Sequence, residues 1–129
     1  MPRRRSATLT DAELRLMNVL WDAGPATVEE VIDRLAGAPK PAHNTVLTLL
    51  RIMEEKGYVR HRREGRAFRF QPLIDRARAR QRAIRHLLGR FFEGSPVMLV
   101  RELLERDAFS DDDIRRVRDL LAARVESRA

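Results

Sequence analysis

The sequence predicts a mainly helical fold with one small β-hairpin. Three segments before residue 57 carry apolar residues at the three- and four-residue spacing of amphipathic helices. Gly57 then ends the third segment, and an arginine-rich stretch that alternates with apolar residues continues to Pro72. Only helical patterns follow Pro72. This order predicts a disordered basic arm at 1–7, a winged helix-turn-helix domain at 8–72 and a helical domain at 73–129.

The first two helices are predicted from their N-terminal caps. Thr10 and Thr27 are each followed three residues later by glutamate, which is the spacing of a capping box. Glycine and proline at 24–25 and across 37–41 should end these helices. The expected inward stripes are Leu14, Met17, Leu20 and Trp21 in the first helix and Val28, Val31, Ile32 and Leu35 in the second.

The third helix is predicted from about Ala42 to Lys56 (range 42–56), with a buried stripe and an opposite polar face. The stripe consists of Val46, Leu49, Leu50 and Met53. The polar face carries the candidate DNA contacts His43, Asn44, Thr45, Thr48 and Arg51. Asparagine can bridge two adenine atoms, arginine two guanine atoms, and threonine can meet a thymine methyl group or a phosphate. The alternative for this face alone is a solvated helix surface.

A basic wing is predicted at 58–71, with strands at 58–62 and 67–71 and a turn at 63–66. Its five arginines are opposed within the hairpin only by Glu64: Arg60, Arg62, Arg63, Arg66 and Arg69. A hairpin that needed only solubility would mix charge signs, so this pattern favours binding to the phosphates of double-stranded DNA. The candidate contacts in the wing are Arg60, His61, Arg62, Arg63 and Arg66.

Helices are also predicted at 73–92, at 97–106 and after the cap residue Ser110. Three helices in so short a segment would be marginal as a separate core, so we expect homodimerisation through this domain. The alternative is that the segment folds back on the first domain. The candidate dimer contacts are Val97, Val100, Leu103, Leu104, Ile114, Val117, Leu120 and Leu121.

The composition favours a polyanionic partner and argues against other classes of function. The net charge is +7, and 26 Lys and Arg residues include only two lysines. Arginine suits phosphate and guanine recognition, although a GC-rich genome explains the bias equally well. The scattered arginines of the 73–92 helix suit a solvated connector at least as well as a second DNA contact. The chain has no cysteine, which excludes disulfides and thiolate metal sites.

No enzyme, cofactor or metal site is expected. The three histidines His43, His61 and His86 lie in different predicted elements and lack metal-ligand spacing. The carboxylates at 111–113 are explained by a helix start. No apolar run reaches the roughly 20 residues that cross a bilayer, and no secretion signal is recognisable, so we expect a cytoplasmic protein without membrane insertion.

The chain resembles the penicillinase-repressor (BlaI/MecI) family of winged-helix transcriptional repressors. The resemblance covers about residues 8–122 and is specific as a combination of short motifs. These are the segments 9–14 with Met17, 20–21, 44–48, 56–59, 65–66, 91–95, 99–100 and 110–121.

The resemblance implies a homodimer that binds palindromic operators and represses nearby genes. Asn44, Thr45 and Thr48 match the helix that enters the major groove, and His61, Arg63 and Arg66 match the part of the wing that contacts the backbone. Arg51 is a candidate from its place on the helix alone. A winged-helix protein-interaction module with an acidic partner is the alternative function.

The resemblance also names a membrane sensor-protease system as a candidate partner. In the best-known members this system causes cleavage at an Asn-Phe bond, where this chain has Glu102-Leu103. We therefore do not expect this chain to be cleaved at that bond. A copper-responsive branch senses metal through C-terminal cysteines, which this chain lacks.

Overall fold

A computed structural model describes residues 8–129, and the predicted basic arm at 1–7 lies outside the described residues. The mainly helical fold with a small sheet is confirmed. Within the described residues the elements, in chain order, are α1 (Asp11–Ala23), β1 (Ala26–Thr27), α2 (Val28–Arg34), α3 (His43–Glu55), β2 (Val59–Glu64), β3 (Ala67–Pro72), α4 (Arg76–Phe91), α5 (Pro96–Glu105) and α6 (Asp111–Arg128). The chain divides into two compact units, one that ends at His86 and one that comprises Leu87–Ala129.

The core of the first unit lies between α1, α2, α3 and the sheet. Val28 and Val31 of α2 and three residues of the predicted α3 stripe, at 46, 50 and 53, are buried there. Tyr58, Val59 and Phe70 close the core from the side of the sheet. The two predicted capping boxes are present: the hydroxyl groups of the threonines at 10 and 27 accept from the backbone N–H three residues later.

The inward face of α1 differs from the predicted stripe. Leu14 is 41 % exposed, whereas Leu16, which the stripe omitted, is buried beside Met17. Glu13 completes this face, because its carboxylate accepts from Lys56 Nζ at 2.7 Å and from the backbone N–H of residue 10 at 2.7 Å. A charged residue can occupy an inward position when a cation and a backbone donor both meet it there. Local spacing did not reveal that partner, 43 residues away.

The sheet has three antiparallel strands in the order β1-β3-β2. The two-residue strand β1 was not predicted, since it is too short to show an alternating pattern; Ala26 lies opposite Phe70. Glu64 lies opposite Ala67, which leaves a two-residue loop that begins with Gly65. Gly65 has φ +62°, a conformation that glycine adopts without strain and that two-residue hairpin loops require.

The second unit consists of the end of α4 with α5 and α6. Ser110 caps α6 as predicted, and its hydroxyl oxygen accepts from the backbone N–H of Asp113 at 3.0 Å. The Asp113 carboxylate accepts in return from the backbone N–H of Ser110 at 3.1 Å, which completes a capping box. In 87–129, all of which the structure describes, no residue is buried. The contacts of the first unit extend to His86, beyond residue 72, and the predicted division at 72–73 remains a prediction. Within residues 8–129, no helix is both long enough and apolar enough to cross a membrane.

Candidate nucleic-acid interface

The exposed stripe of α3 carries three of the predicted DNA contacts. Asn44, Thr48 and Arg51 recur at steps of four and three residues, so they share one face of the helix. All three are exposed, and the buried residues Val46 and Leu50 hold the opposite face against the core. This arrangement presents an amide, a hydroxyl and a guanidinium side by side, which are groups that can meet base edges in a major groove.

The other two predicted contacts of α3 are exposed on its flanks. His43 lines a groove of about 330 Å³ together with Leu47, Phe68 and Arg66, between α3 and β3. Thr45 lies on the other flank, where a groove of about 400 Å³ is bordered by the loop between α2 and α3 and by α1. The structure therefore brings His43, Asn44, Thr45 and Thr48 to the N-terminal half of α3, with Arg51 about one turn further along, and spreads the five residues over about half of the helix circumference.

The charges at the two ends of α3 favour an anion at its N-terminus. Ala42 provides no side-chain cap there, and the first turn contains no acidic residue. The free backbone N–H groups and the positive end of the helix dipole therefore meet any approaching phosphate. The opposite end carries Glu54 and Glu55 and no basic residue in its last turn. We therefore expect the N-terminal half of α3 to face a polyanion.

The wing exposes its arginines in different directions. Arg60 and Arg62 alternate with His61 and Arg63 along β2, so the two pairs project from opposite faces of the sheet. The amide of Gln71 can accept from Arg60 Nε and Nη2 at 2.6 and 2.9 Å when its oxygen is turned toward the guanidinium. Three further candidate contacts of the wing, Arg62, Arg63 and Arg66, are exposed. Among the described residues, these three make no hydrogen bond or ion pair through their side chains.

Arg69 is occupied by contacts within the protein, and one of its partners, Glu30, lies outside the hairpin on α2. Its guanidinium donates to both carboxylate oxygens of Glu30 at 3.1 and 3.3 Å, to the carbonyl oxygen of Pro25 at 3.0 Å and to the carboxylate of Glu64. The hydrogen bond from Arg69, followed by that from the backbone of Thr27, lowers the pKa of Glu30. The same carboxylates raise the pKa of Arg69, with Glu64 as the larger cause.

His61 is held by α3. Its Nδ1 lies 2.8 Å from each carboxylate oxygen of Glu54, and its backbone N–H donates to Glu54 Oε2 at 3.0 Å. Its ring also meets Phe68 edge-on, with centroids 5.1 Å apart. Sequence reasoning missed Glu54, Glu30 and Glu13 as residues of this region. Of these, only Glu54 could have been found from the sequence, because it lies in an acidic last turn of α3 directly before the basic hairpin.

The predicted dimer contacts lie on two helices of the second unit. Leu103 and Val117 are half-buried, and the others are exposed: Val97, Val100 and Leu104 on α5, and Ile114, Leu120 and Leu121 on α6. On α6 the four residues fall within one side of the helix, because their spacing is three, three and one.

Comparison with known proteins gives consistent matches over most of the chain. The family model described as penicillinase repressor matches residues 9–123. The penicillinase repressor of Bacillus licheniformis is 31% identical over 113 residues, which cover 88% of each chain. The methicillin resistance regulatory protein MecI of Staphylococcus aureus (strain N315) is 20% identical over 113 residues, covering 88% of this chain and 92% of its own. The solution structure of the DNA-binding domain of the repressor BlaI aligns with a TM-score of 0.49 and 32% identity, over 58% of this chain and 92% of that domain.

Proposed function

The chain belongs to the penicillinase-repressor family, a family of winged-helix DNA-binding transcriptional repressors, and we propose that it acts as a homodimer on a palindromic operator. Family membership also decides between the two functions considered from the sequence. It supports a repressor that binds operator DNA rather than a protein-interaction module or an enzyme.

The DNA-binding surface we propose consists of the exposed face of α3 from His43 to Arg51 and the tip of the wing. The single observation that carries it is the juxtaposition of an uncapped, acid-free helix start with three exposed arginines in and beside the wing loop. Such an arrangement supplies side chains for base edges on one element and charges for the flanking phosphates on another. Asn44, Thr48 and Arg51 are the proposed base contacts, with His43 and Thr45 at their flanks.

Exposed apolar side chains support the proposed dimer. Most of the large apolar residues that are exposed in 8–129 belong to 87–129, and Leu120 and Val125 are each 70 % exposed. A unit of this size that buries no residue of its own gains a core by pairing with a second copy. A twofold dimer would present two α3 helices about one DNA turn apart, roughly 34 Å, to a symmetric site. Occlusion of a promoter would then repress transcription.

The resemblance to the family also suggests how this dimer could be regulated. A membrane sensor-protease system is the implied partner, and its target bond in the best-known members is Asn-Phe. This chain has Glu102-Leu103 at the corresponding place inside α5, where Glu102 accepts from Arg106 at 3.0 Å. We therefore propose that release from DNA does not depend on cleavage of this bond.

Light scattering combined with fluorescence anisotropy tests the proposal. A duplex is first selected by the protein itself from a random-sequence pool. We expect the selected sequence to be palindromic and the protein to be dimeric at micromolar concentration, with and without the duplex. A chain that stays monomeric beside a symmetric duplex would contradict the dimer. Equal affinity for the selected and a scrambled duplex would contradict operator recognition.

A further inference from the structure

One carboxylate joins the helix proposed to read bases to the wing proposed to hold phosphates. Glu54 lies in the last turn of α3, and His61 lies on β2. The carboxylate accepts the backbone N–H of His61 at 3.0 Å and lies 2.8 Å from its ring Nδ1. A carboxylate at neutral pH can only accept, so Nδ1 carries the proton in this contact. The Glu54 carboxylate therefore binds both the backbone and the side chain of His61.

The contact with Glu54 holds the wing because His61 lies on an edge strand. β2 is an edge strand, because the strand order is β1-β3-β2. The outward N–H groups of an edge strand have no partner in the sheet, and Glu54 supplies one at the point where the wing leaves the body of the domain. The neighbouring strand β3 is already fixed, since Arg69 ties it to Glu30 of α2 and to Pro25.

Glu54 is also an unfavourable residue for this place on electrostatic grounds alone. A carboxylate in the last turn of a helix opposes the helix dipole. A negative charge between two proposed DNA-binding elements also repels phosphates. The side chains of Glu54 and His61 are 30% and 40% exposed, and at such exposure even a pair of full charges adds little to global stability. These features favour a role in geometry over a role in stability.

We propose that Glu54 is a positioning residue for DNA binding. Through His61 it sets the angle of the wing against α3, so that Arg62, Arg63 and Arg66 reach the backbone while the N-terminal half of α3 lies in the groove. This inference rests on the DNA-binding function proposed above. It assigns to an acidic residue a favourable contribution to the binding of a polyanion.

Two substitutions of Glu54 separate geometry from charge. Glu54→Gln and Glu54→Ala remove the same negative charge, but only glutamine keeps an oxygen that can accept from His61. The probe is a labelled duplex that the wild-type protein has selected from a random-sequence pool, and the full chain is used throughout. We expect the alanine variant to bind about tenfold more weakly than the glutamine variant, the upper end of the scale for one lost hydrogen bond between neutral groups. Its salt dependence should also be flatter, because wing contacts to phosphates are lost.

Glu126 provides the matched control. Like Glu54 it lies in the last turn of a helix, it is exposed on α6, and among the described residues its side chain makes no hydrogen bond or ion pair. Glu126→Gln and Glu126→Ala should therefore bind the probe alike. If Glu54→Ala fails to fold in a thermal scan, Glu54→Met takes its place in the comparison, because methionine is a strong helix former that likewise offers no oxygen to His61.

The outcomes distinguish this inference from the proposed function. Equal affinities and salt slopes for Glu54→Gln and Glu54→Ala, in proteins that fold and bind, would overturn the positioning role and leave the repressor function intact. If the wild-type protein selects no duplex and binds none at low salt, the proposed function itself fails. Weaker binding by Glu54→Ala than by Glu54→Gln, with equal binding by Glu126→Gln and Glu126→Ala, supports both.

Discussion

Thr48 lies in the middle of the exposed stripe of α3, between Asn44 and Arg51. Because Thr48 is exposed and is not part of the buried core, Thr48→Ala should leave the melting temperature nearly unchanged. It should weaken binding to the selected operator by about 1–3 kcal/mol, the range for a good base contact. Fluorescence anisotropy at fixed salt measures this, with a random duplex as the internal control. Equal operator affinity in the variant would remove Thr48 from the proposed site.

Arg63 and Arg66 are the residues through which we expect the wing to hold phosphates. Replacing both by alanine should lower affinity for any duplex and reduce the salt dependence by about two units, since each phosphate contact contributes about 0.9 to the slope. Arg106 at the end of α5 and Arg115 on α6 are exposed and are not among the predicted dimer contacts, so they provide a control pair with the same change in charge. An unchanged slope in the wing variant, or an equal change in the control, would argue against a clamp in the wing.

At the scale of elements, Arg69 joins the wing to α2. The pKa of Glu30 is lowered from its ordinary value of 4.5, chiefly by the hydrogen bond from Arg69. A carboxyl group with a lowered folded-state pKa stabilises the fold above its unfolded-state pKa. That contribution is lost as the pH falls through the folded-state value. We therefore expect the contact between wing and α2 to persist at neutral pH and to weaken below about pH 4.5.

An NMR titration of the Glu30 carboxyl carbon tests this directly. The midpoint should lie below 4.5 in the wild-type protein and should move up toward 4.5 in Arg69→Met, because the largest cause of the shift is removed. The hydrogen bond from the backbone of Thr27 remains in the variant and keeps part of the effect. Identical midpoints in the two proteins would show that Arg69 does not bind this carboxylate in solution.

The ion pair between α1 and the end of α3 is the other contact between elements with a measurable consequence. The side chains of Lys56 and Glu13 are 6% and 2% exposed, and Lys56 Nζ also donates to the carbonyl oxygen of Thr8 at 3.0 Å. Lys56→Met should cost about 3–5 kcal/mol of unfolding free energy, because it leaves a buried carboxylate without its cation. Adding Glu13→Gln should restore part of that loss. Urea unfolding measures both effects.

Arg106→Met provides the control for the buried pair. Arg106 and Glu102 form an exposed pair on α5, with side chains 75% and 46% exposed. Its loss should change the unfolding free energy by no more than about 1 kcal/mol. If Lys56→Met lowers the unfolding free energy by no more than Arg106→Met does, the pair between Lys56 and Glu13 does not stabilise the fold.

For the whole molecule, we expect the apolar side of α6 to control dimer formation. Leu121 lies on the apolar side of α6 and is 62 % exposed, so a charge there should prevent burial against a second copy. Leu121→Glu should therefore give a monomer by light scattering and should lose most of the affinity for a two-site operator. Binding to a single half-site should be unchanged.

Ala123→Glu adds the same charge on the opposite side of α6 and should remain dimeric. A dimeric Leu121→Glu protein with full operator affinity would place the interface elsewhere. Dissociation of both variants would mean that net charge, rather than this side of α6, controls assembly.

The sequence by itself determined the order of the helices, their caps, the hairpin and the polar face of α3. Each of these follows from interactions within a few residues: a threonine caps an amide three residues away, and an apolar stripe repeats every turn. The tertiary structure alone decided which charges pair. Lys56 pairs with Glu13 across 43 residues and Arg69 pairs with Glu30 across 39, so one of the five hairpin arginines binds a carboxylate of the protein itself. Such pairs form because folding brings distant chain segments together and a partly desolvated charge is stable only beside an opposite one, which local spacing does not encode.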